Sequence, residues 1–324
     1  MGKYKEIDLT KIKSISIDKR KSKVSLDQNA HPVLPGSSFK EFWDSLPNVL
    51  KSKDLRELAH KITLAVKNSS PVILMMGAHV IKTGLNPVII DLMENGVIQG
   101  LVMNGACCIH DVELAFFGKT SEHVSVNLKN GTFGMVKETA DIINTIARKG
   151  YQNSMGFGEA AGKTIQEKEP SYMSNSIIGQ AYKLGIPVTI HVALGTDIVH
   201  QHPSCEGSAI GDISMRDFRI LANMISKFDN NSVVLLFGSA VILPEVFVKA
   251  LSIARNISGK IKGFTTACFD MKDHYRVNEN VLKRPVSDGG KSYKITGHHE
   301  IMIPLFAAVI KEKLDAVSSI KRIR

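Results

Sequence analysis

The chain has 324 residues, 44% of them hydrophobic, and a formal net charge of +10 at neutral pH. This length permits one large α/β domain or two smaller domains. No apolar stretch approaches the roughly 18–20 residues that a membrane-spanning helix needs, and the basic start of the chain lacks the apolar core of a signal peptide. We therefore expect a cytoplasmic protein with no membrane partner.

The positive charge is concentrated at the two ends of the chain, in the first 24 residues and the last four. Neither end interleaves these residues with the aromatic side chains that stack on bases, which argues against nucleic acid as a partner and favours solvated basic tails. Four cysteines are too few for a disulfide framework in a chain of this length, so we expect reduced thiols.

Two regions are expected along the chain. Residues 1–36 are rich in lysine, show no sustained periodicity and end in a stretch with proline and glycine, which indicates a basic extended arm. Residues 37–324 are expected to form one α/β domain. Its first helix is predicted after Ser38, which stands three residues before Glu41 in the spacing of a capping box.

Short unbroken apolar runs determine the predicted fold class. Unbroken rather than alternating hydrophobicity is typical of strands that are covered on both faces, and helical periodicity fills the segments between them. The prediction is a single doubly wound, mainly parallel sheet with helices on both faces, which is a Rossmann-like α/β architecture. The predicted strands are 72–76, 97–103, 186–192, 233–237 and the weaker 261–267, and the clearest helices are 87–95, 176–184 and 217–228.

Loops that follow parallel strands gather at one edge of the sheet, where ligands bind near the point at which the strand order reverses. Most of the unusual polar residues of the chain fall in five segments that we expect at this edge. These segments are 77–84, 104–111, 193–212, 238–245 and 265–274.

A glycine-rich segment between Gly156 and Thr164 has the composition of a phosphate-binding loop but not its spacing. Four residues must separate the first glycine from the Gly-Lys pair, whereas Gly156 leaves five and Gly158 leaves three. We interpret this segment as a glycine-rich surface loop.

Two groups of possible metal ligands stand in the predicted edge loops. They consist of Cys107, Cys108, His110 and Asp111 in one loop, and His200, His202 and Cys205 in another. Neither group has the paired spacing that is typical of zinc sites, so no metal is predicted. The second group remains an alternative ligand set; otherwise its histidines would hydrogen-bond substrate or backbone.

Two further features near the end of the chain carry chemistry. His298 and His299 precede the last apolar helix, where an imidazole can act as a general base, contact a cofactor or serve a structural role. Lys291 follows two glycines and could be a nucleophile if burial or a neighbouring cation removed its proton. The alternative for Lys291 is an exposed lysine in a glycine-rich turn.

From about residue 71 to 315, the order of these segments resembles the deoxyhypusine synthase family. The likeness includes an Ile-Pro-Val strand after a helix, a Gly-Ser-Ala-Ile-Gly-Asp turn and a Thr-Ala-Cys-Phe-Asp stretch. The segments that carry it are 76–84, 100–111, 176–188, 207–212, 237–240, 266–270 and 303–305. Differences fall mainly on the polyamine side, where the tryptophan before the family's lysine is replaced and a loop is inserted before Gly207.

The resemblance implies a reaction and a set of site residues. In that family a polyamine is oxidised by NAD, its aminobutyl group is captured as an imine on a lysine, and the group passes to an acceptor amine. Lys291 is the nearest counterpart of this lysine, with His298 or His299 assisting proton transfer. The positions that correspond to NAD contacts are Gly77, His79, Gly105, Gly238, Ser239, Asp270 and Asp273, and those near the polyamine are Glu206 and Asp212.

The leading hypothesis is therefore an NAD-dependent transferase that acts on a polyamine or another cationic small molecule, and the resemblance implies a homotetramer. Two alternatives stay open. One is a metal-assisted hydrolase on the same scaffold, and the other is a nucleotide-binding protein without catalytic activity.

Overall fold

The computed structural model describes residues 2–259 and 261–322, with side chains as far as residue 315. The chain divides between Lys53 and Asp54 into two compact units. The predicted boundary at residue 36 stays a prediction.

The first unit contains single-turn helices at Leu9–Lys11, Ile17–Lys19 and Leu26–Gln28, separated by extended backbone. Helix α1 (Phe39–Ser45) follows, and its predicted capping box is present. The backbone amide of Glu41 donates to the Ser38 hydroxyl at 3.2 Å, and the amide of Ser38 donates to the Glu41 carboxylate at 2.6 Å. These two bonds satisfy amides that the helix start would otherwise leave without partners.

The second unit is built on a parallel sheet that has six strands in the part of the chain described by the structure. Their spatial order is β3-β2-β1-β4-β5-β6, so the order reverses between β1 and β4. The predicted Rossmann-like α/β fold class is confirmed. The strands are β1 (Val72–Met76), β2 (Gly100–Asn104), β3 (Val188–His191), β4 (Val233–Phe237), β5 (Thr265–Asp270) and β6 (Lys291–Thr296).

Helices lie in the connections between the strands, before the first strand and after the last one. In chain order they are α2 (Leu50–Lys67), α3 (His79–Lys82), α4 (Asn86–Glu94), α5 (Gly105–Phe117), α6 (Val124–Asn127), α7 (Lys137–Gln152), α8 (Phe157–Lys168), α9 (Ile177–Lys183), α10 (Gly207–Ile225), α11 (Ile242–Ser258), α12 (Tyr275–Val277) and α13 (His299–Arg322). None of the helices in the described residues combines the length and apolar character needed to cross a membrane.

The hydrophobic core explains why the strands are apolar without alternation. All five residues of β1 and all five of β4 are buried. Ile73 and Met75 of β1, like Leu236 of β4, belong to the core cluster that includes Leu221 of α10 and Phe247 of α11. Successive strand residues point to opposite faces, so the remaining residues of each strand are buried on the other face.

Strand β6 was missed because it lies at the edge of the sheet. Tyr293 and Ile295 are buried, whereas the residues that alternate with them are polar and partly or fully exposed. This pattern does not form an unbroken apolar run.

The glycine-rich segment is helix α8, so the predicted surface loop is wrong. A Cβ on Gly158 would lie 2.0 Å from the backbone oxygen of Val188. The backbone amide of Gly158 donates to the Asp217 carboxylate at 3.0 Å. The glycine therefore permits α8 to pack closely on β3. The Asp217 carboxylate accepts a hydrogen bond from an amide at the helix start, which has no partner within the helix.

Candidate functional site

The carboxyl ends of β1 and β4 meet at the point where the strand order reverses. The amide of Gly77 donates to the backbone oxygen of Phe237 at 2.9 Å, and a Cβ on Gly77 would lie 2.0 Å from the oxygen of Gly238. Gly238 has a φ of +64°. The two predicted glycines therefore permit a close backbone approach that other residues would prevent. In open α/β sheets, ligands bind in the crevice at this position.

Two histidines flank this crevice, and the structure brings them together. The rings of His79 and His299 have centroids 5.4 Å apart. Nε2 of the buried His299 lies 3.0 Å from the backbone oxygen of Phe269. Because a carbonyl only accepts, Nε2 carries the hydrogen, while Nδ1 has no hydrogen-bond partner among the described residues. Burial is the main cause that lowers the pKa of His79.

The other predicted cofactor residues lie at different distances along the chain from the glycines of this crevice. Ser239 is buried beside Gly238, and its hydroxyl accepts from the Leu243 amide at 3.4 Å. Asp270 ends β5, and its carboxylate accepts from the Lys272 amide at 3.1 Å. Asp273 lies beyond the end of β5 and is exposed.

Asp273 and His298 lie in charged surroundings. The Asp273 carboxylate is 2.5 Å from Nζ of Lys294 and accepts from Asn278 at 2.6 Å. His298 is largely exposed and lies 3.8 Å from the Glu300 carboxylate. The predicted histidine pair is thus divided, because His299 lies in the core at the crevice and His298 faces solvent.

A cavity of about 660 Å³ opens beside the end of β2. Its walls come from α3, α5, α7, the segment between α5 and α7, and the loop after β3. Gly105, a predicted cofactor residue, packs against the carboxylate of Asp197, since a Cβ on Gly105 would lie 1.9 Å from Oδ2. Burial raises the pKa of Asp197 to about 6.

A hydrogen-bonded chain of side chains lies in the wall of this cavity. Nδ1 of His110 is 2.5 Å from the Thr120 hydroxyl, and that hydroxyl donates to Glu113. The Thr139 hydroxyl also donates to Glu113, at 2.8 Å. Burial alone would raise the pKa of Glu113, but the interaction with His110 and the hydrogen bonds from Thr120 and Thr139 together lower it. Glu113 and Asp197 are not among the site residues predicted from the sequence, although Asp197 falls in the edge segment 193–212, because the cavity joins segments far apart in the chain.

Glu206 and Asp212 already have cationic partners. Glu206 lies 3.5 Å from Arg148, and Asp212 lies 2.5 Å from Arg216. Their predicted contact with a polyamine would therefore compete with an arginine, and it stays a prediction.

The two groups of possible metal ligands do not assemble a metal site. Nδ1 of His200 accepts from the amides of Gly195 and Asp197, and Nε2 of His202 lies 2.8 Å from the backbone oxygen of Gly134. Among the side chains that the structure describes, no three His, Cys, Asp or Glu groups come together as metal ligands. The alternative set of His200, His202 and Cys205 is thus not supported.

The first group has a structural role instead. The Asp111 carboxylate accepts from Ser176, Ile177, Ile178 and Asn86 and so caps the start of α9. Cys107 and Cys108 are free and buried, and burial raises the pKa of both thiols.

The structure places Lys291 away from the other predicted residues. It begins β6 and pairs in register with Thr265, the first residue of β5, so it lies at the amino end of the sheet. Its side chain is 62% exposed and lies 3.7 Å from Glu57. The side chain is exposed beside a carboxylate, so the burial or neighbouring cation that the nucleophile hypothesis requires is not found among the described residues. Within one chain, Lys291 therefore lies at the opposite end of the sheet from the crevice, and its catalytic role stays a prediction.

The strand order and the glycine-lined crevice define a Rossmann-like α/β protein. A family model described as "arginine dihydrolase ArgZ-like, C-terminal, Rossmann fold" matches residues 56–157. The chain is also 24% identical over 232 residues to a deoxyhypusine synthase-like protein of Chlorobaculum parvum. That match covers 64% of this chain, and the chain spans 65% of the length of that relative. The resemblance predicted from the sequence is thereby confirmed.

Solved structures show the same fold. A protein from Entamoeba histolytica that carries the provisional name deoxyhypusine synthase matches with a TM-score of 0.54 and 12% identity, covering 87% of this chain and 96% of that one. The ternary complex of AgrE with ornithine and NAD⁺ matches with a TM-score of 0.52 and 15% identity, covering 85% of this chain and 35% of that one.

Proposed function

We propose that this chain is an NAD-dependent enzyme that oxidises a cationic aliphatic amine. The observation that carries the proposal is the crevice between β1 and β4, where Gly77 and Gly238 bring two backbones together at the switch point of the sheet. This is the position at which Rossmann-like sheets bind dinucleotides. The cationic substrate is supported by the AgrE complex, which contains ornithine and NAD⁺.

The residues at the crevice fit a dinucleotide. Gly77 and Gly238 bring the backbones after β1 and β4 into contact at the edge of the sheet where a dinucleotide would bind. The Ser239 hydroxyl and the Asp270 carboxylate can hydrogen-bond hydroxyl groups of a ribose, and Nδ1 of His299 is a buried acceptor without a partner among the described residues. When bound, NAD⁺ would accept a hydride from the substrate carbon.

A transferase of the deoxyhypusine synthase type needs one more part, namely an amine nucleophile that captures the oxidised group. The placement of Lys291 does not support this step within one chain. Aminobutyl transfer therefore stays a prediction, and the oxidation step is the part of the hypothesis that we propose.

The test is calorimetric titration of the purified protein with NAD⁺, alone and with spermidine or ornithine. We expect NAD⁺ binding that Gly238→Ala weakens by about tenfold or more, because the new Cβ would lie 2.4 Å from Cε1 of His299 and the residue would keep an unfavourable positive φ.

Gly211→Ala is the matched control, because a Cβ at Gly211 meets no atom within 4 Å. If the wild-type protein does not bind NAD⁺, or if Gly238→Ala binds it as well as the control does, the proposed function is wrong.

A further inference from the structure

Residues in the wall of the cavity beside the end of β2 are close in sequence to residues of the proposed cofactor crevice. Ala106 in its wall follows Gly105, and Lys82 in its wall ends the short helix that begins at His79. A molecule in the cavity would therefore lie beside residues that are expected to contact NAD. The volume of about 660 Å³ lies within the range of small-molecule sites.

The walls combine apolar and acidic groups. Ile109, Phe133 and Ile198 offer an apolar surface, while Asp197 offers a half-buried carboxylate. A buried carboxylate is stabilised in its charged form by a cation at hydrogen-bond distance. This combination suits an aliphatic molecule that carries an ammonium group.

His110 has a defined tautomer in this wall. The Thr120 hydroxyl gives its hydrogen to Glu113, so the oxygen of Thr120 must accept a hydrogen from Nδ1 of His110. In the neutral ring, Nε2 is then left as the basic nitrogen. A carboxylate that orients a histidine in this way also stabilises the imidazolium that forms when the histidine takes up a proton.

We infer that the cavity is the amine-binding chamber of the proposed enzyme, in which Asp197 binds the substrate ammonium group and His110 accepts its proton. The inference rests on the proposed function for its cofactor, but the amine site itself is defined by the cavity. Thr120 and Glu113 are positioning residues, because they act through His110.

The proposed reaction removes one proton and one hydride from the amine. The ammonium group loses a proton to Nε2 of His110 and becomes a neutral amine. Bound NAD⁺ would supply the oxidant by accepting a hydride from the neighbouring carbon, while the nitrogen lone pair forms a C=N bond. The products are an iminium ion, NADH and a protonated His110, so both electrons and the proton are accounted for.

Binding of the amine tests the role of Asp197. Spermidine and ornithine would be titrated calorimetrically into the wild-type protein, with and without NAD⁺. We expect Asp197→Asn, which keeps the shape of the side chain, to weaken binding of the tighter probe by about 30-fold. Asp141→Asn alters an exposed carboxylate on α7 and should change the affinity by less than about twofold.

Turnover tests the role of His110. Formation of NADH from the bound amine should fall by about 100-fold in His110→Gln while the amine affinity stays within about threefold of wild type. His60→Gln changes an exposed histidine on α2 and serves as the control. Thr120→Val should lower kcat by about tenfold with KM unchanged, and Thr120→Ser should restore kcat.

The outcomes separate the two proposals. Amine binding that depends on Asp197 in a protein that does not bind NAD⁺ would support the chamber and overturn the proposed function. NAD⁺ binding with amine binding that Asp197→Asn leaves unchanged would overturn the chamber alone. NAD⁺ binding without binding of either amine would overturn both the chamber and the amine substrate of the proposed function. Full activity in His110→Gln would remove His110 from the mechanism.

Discussion

Asp217 shows how one buried side chain can serve two neighbouring elements. Its Oδ2 accepts from the amide of Gly158 at the start of α8 and from the amide of Ile190 in β3, at 3.0 and 2.7 Å. Burial nevertheless raises the pKa of this carboxyl group to about 7, because the amide hydrogen bonds only partly compensate for lost solvation.

The raised pKa makes stability depend on pH. Between pH 4 and 7 the folded protein holds a proton on Asp217 that the unfolded chain has released, so the free energy of unfolding should fall as the pH rises through this window. The loss from this group is at most about 4 kcal/mol. We expect Asp217→Asn, whose amide oxygen can still accept both hydrogen bonds, to reduce this fall in urea unfolding at pH 5 and pH 8.

Asp141→Asn is again the control, because its carboxylate is exposed. Part of the slope should remain in Asp217→Asn, since burial also raises the pKa of Asp111 to about 6. An identical pH dependence in wild type and Asp217→Asn would contradict the assignment.

At the scale of residues, sequence patterns could identify the glycines of the crevice but not the wall of the cavity. Gly77 and Gly238 follow strongly apolar runs, so their place at the sheet edge follows from strand order. Asp197 falls in the predicted edge segment 193–212, but no pattern distinguishes it there, and Glu113 lies outside all five segments. Both line the cavity because α5 and the loop after β3 come together in the folded chain, which no local pattern specifies.

At the scale of secondary-structure elements, helix α8 depends on a close approach to β3. Alanine normally favours a helix interior over glycine by roughly 1 kcal/mol. Gly158→Ala should do the opposite and lower the free energy of unfolding by about 2 kcal/mol or more, because its Cβ would lie 2.0 Å from the Val188 oxygen. The measurement is urea unfolding followed by circular dichroism.

Gly211→Ala provides the comparison within α10, where the new methyl group meets open space. It should raise the free energy of unfolding by up to about 1 kcal/mol. Equal effects of the two substitutions would show that packing on β3 does not restrict α8.

The elements that could be predicted are those whose burial is uniform. The predicted bounds 72–76 and 233–237 are those of β1 and β4, which lie at the centre of the sheet. The predicted strand 261–267 is displaced from the observed Thr265–Asp270, and the start of α10 at Gly207 was placed in a loop. Helix α5 was also treated as a loop, because polar and small residues dominate its first turns.

At the scale of the whole molecule, the candidate site residues are divided between the two edges of the sheet. The crevice and the cavity lie at the carboxyl edge, whereas Lys291 lies at the amino edge beside Glu57. We expect Lys291→Ala to retain NAD⁺ binding and any amine oxidation within about twofold, and to lose only an exposed ion pair.

Borohydride treatment in the presence of NAD⁺ and spermidine, followed by mass spectrometry, checks the same point. No label is expected on Lys291. A labelled Lys291, or loss of turnover in Lys291→Ala, would instead mean that the amino edge of one chain takes part in the reaction.

The pairing of β1 with β4 also dictates when the crevice can form during synthesis. Val72 of β1 pairs with Val233 of β4, so the first of these strands is synthesised long before the second. Contacts between such distant segments form late, because closing a long loop costs chain entropy. A nascent chain that ends before β4 therefore has no complete crevice, and the proposed binding of NAD would stabilise the protein only after most of the chain has been made.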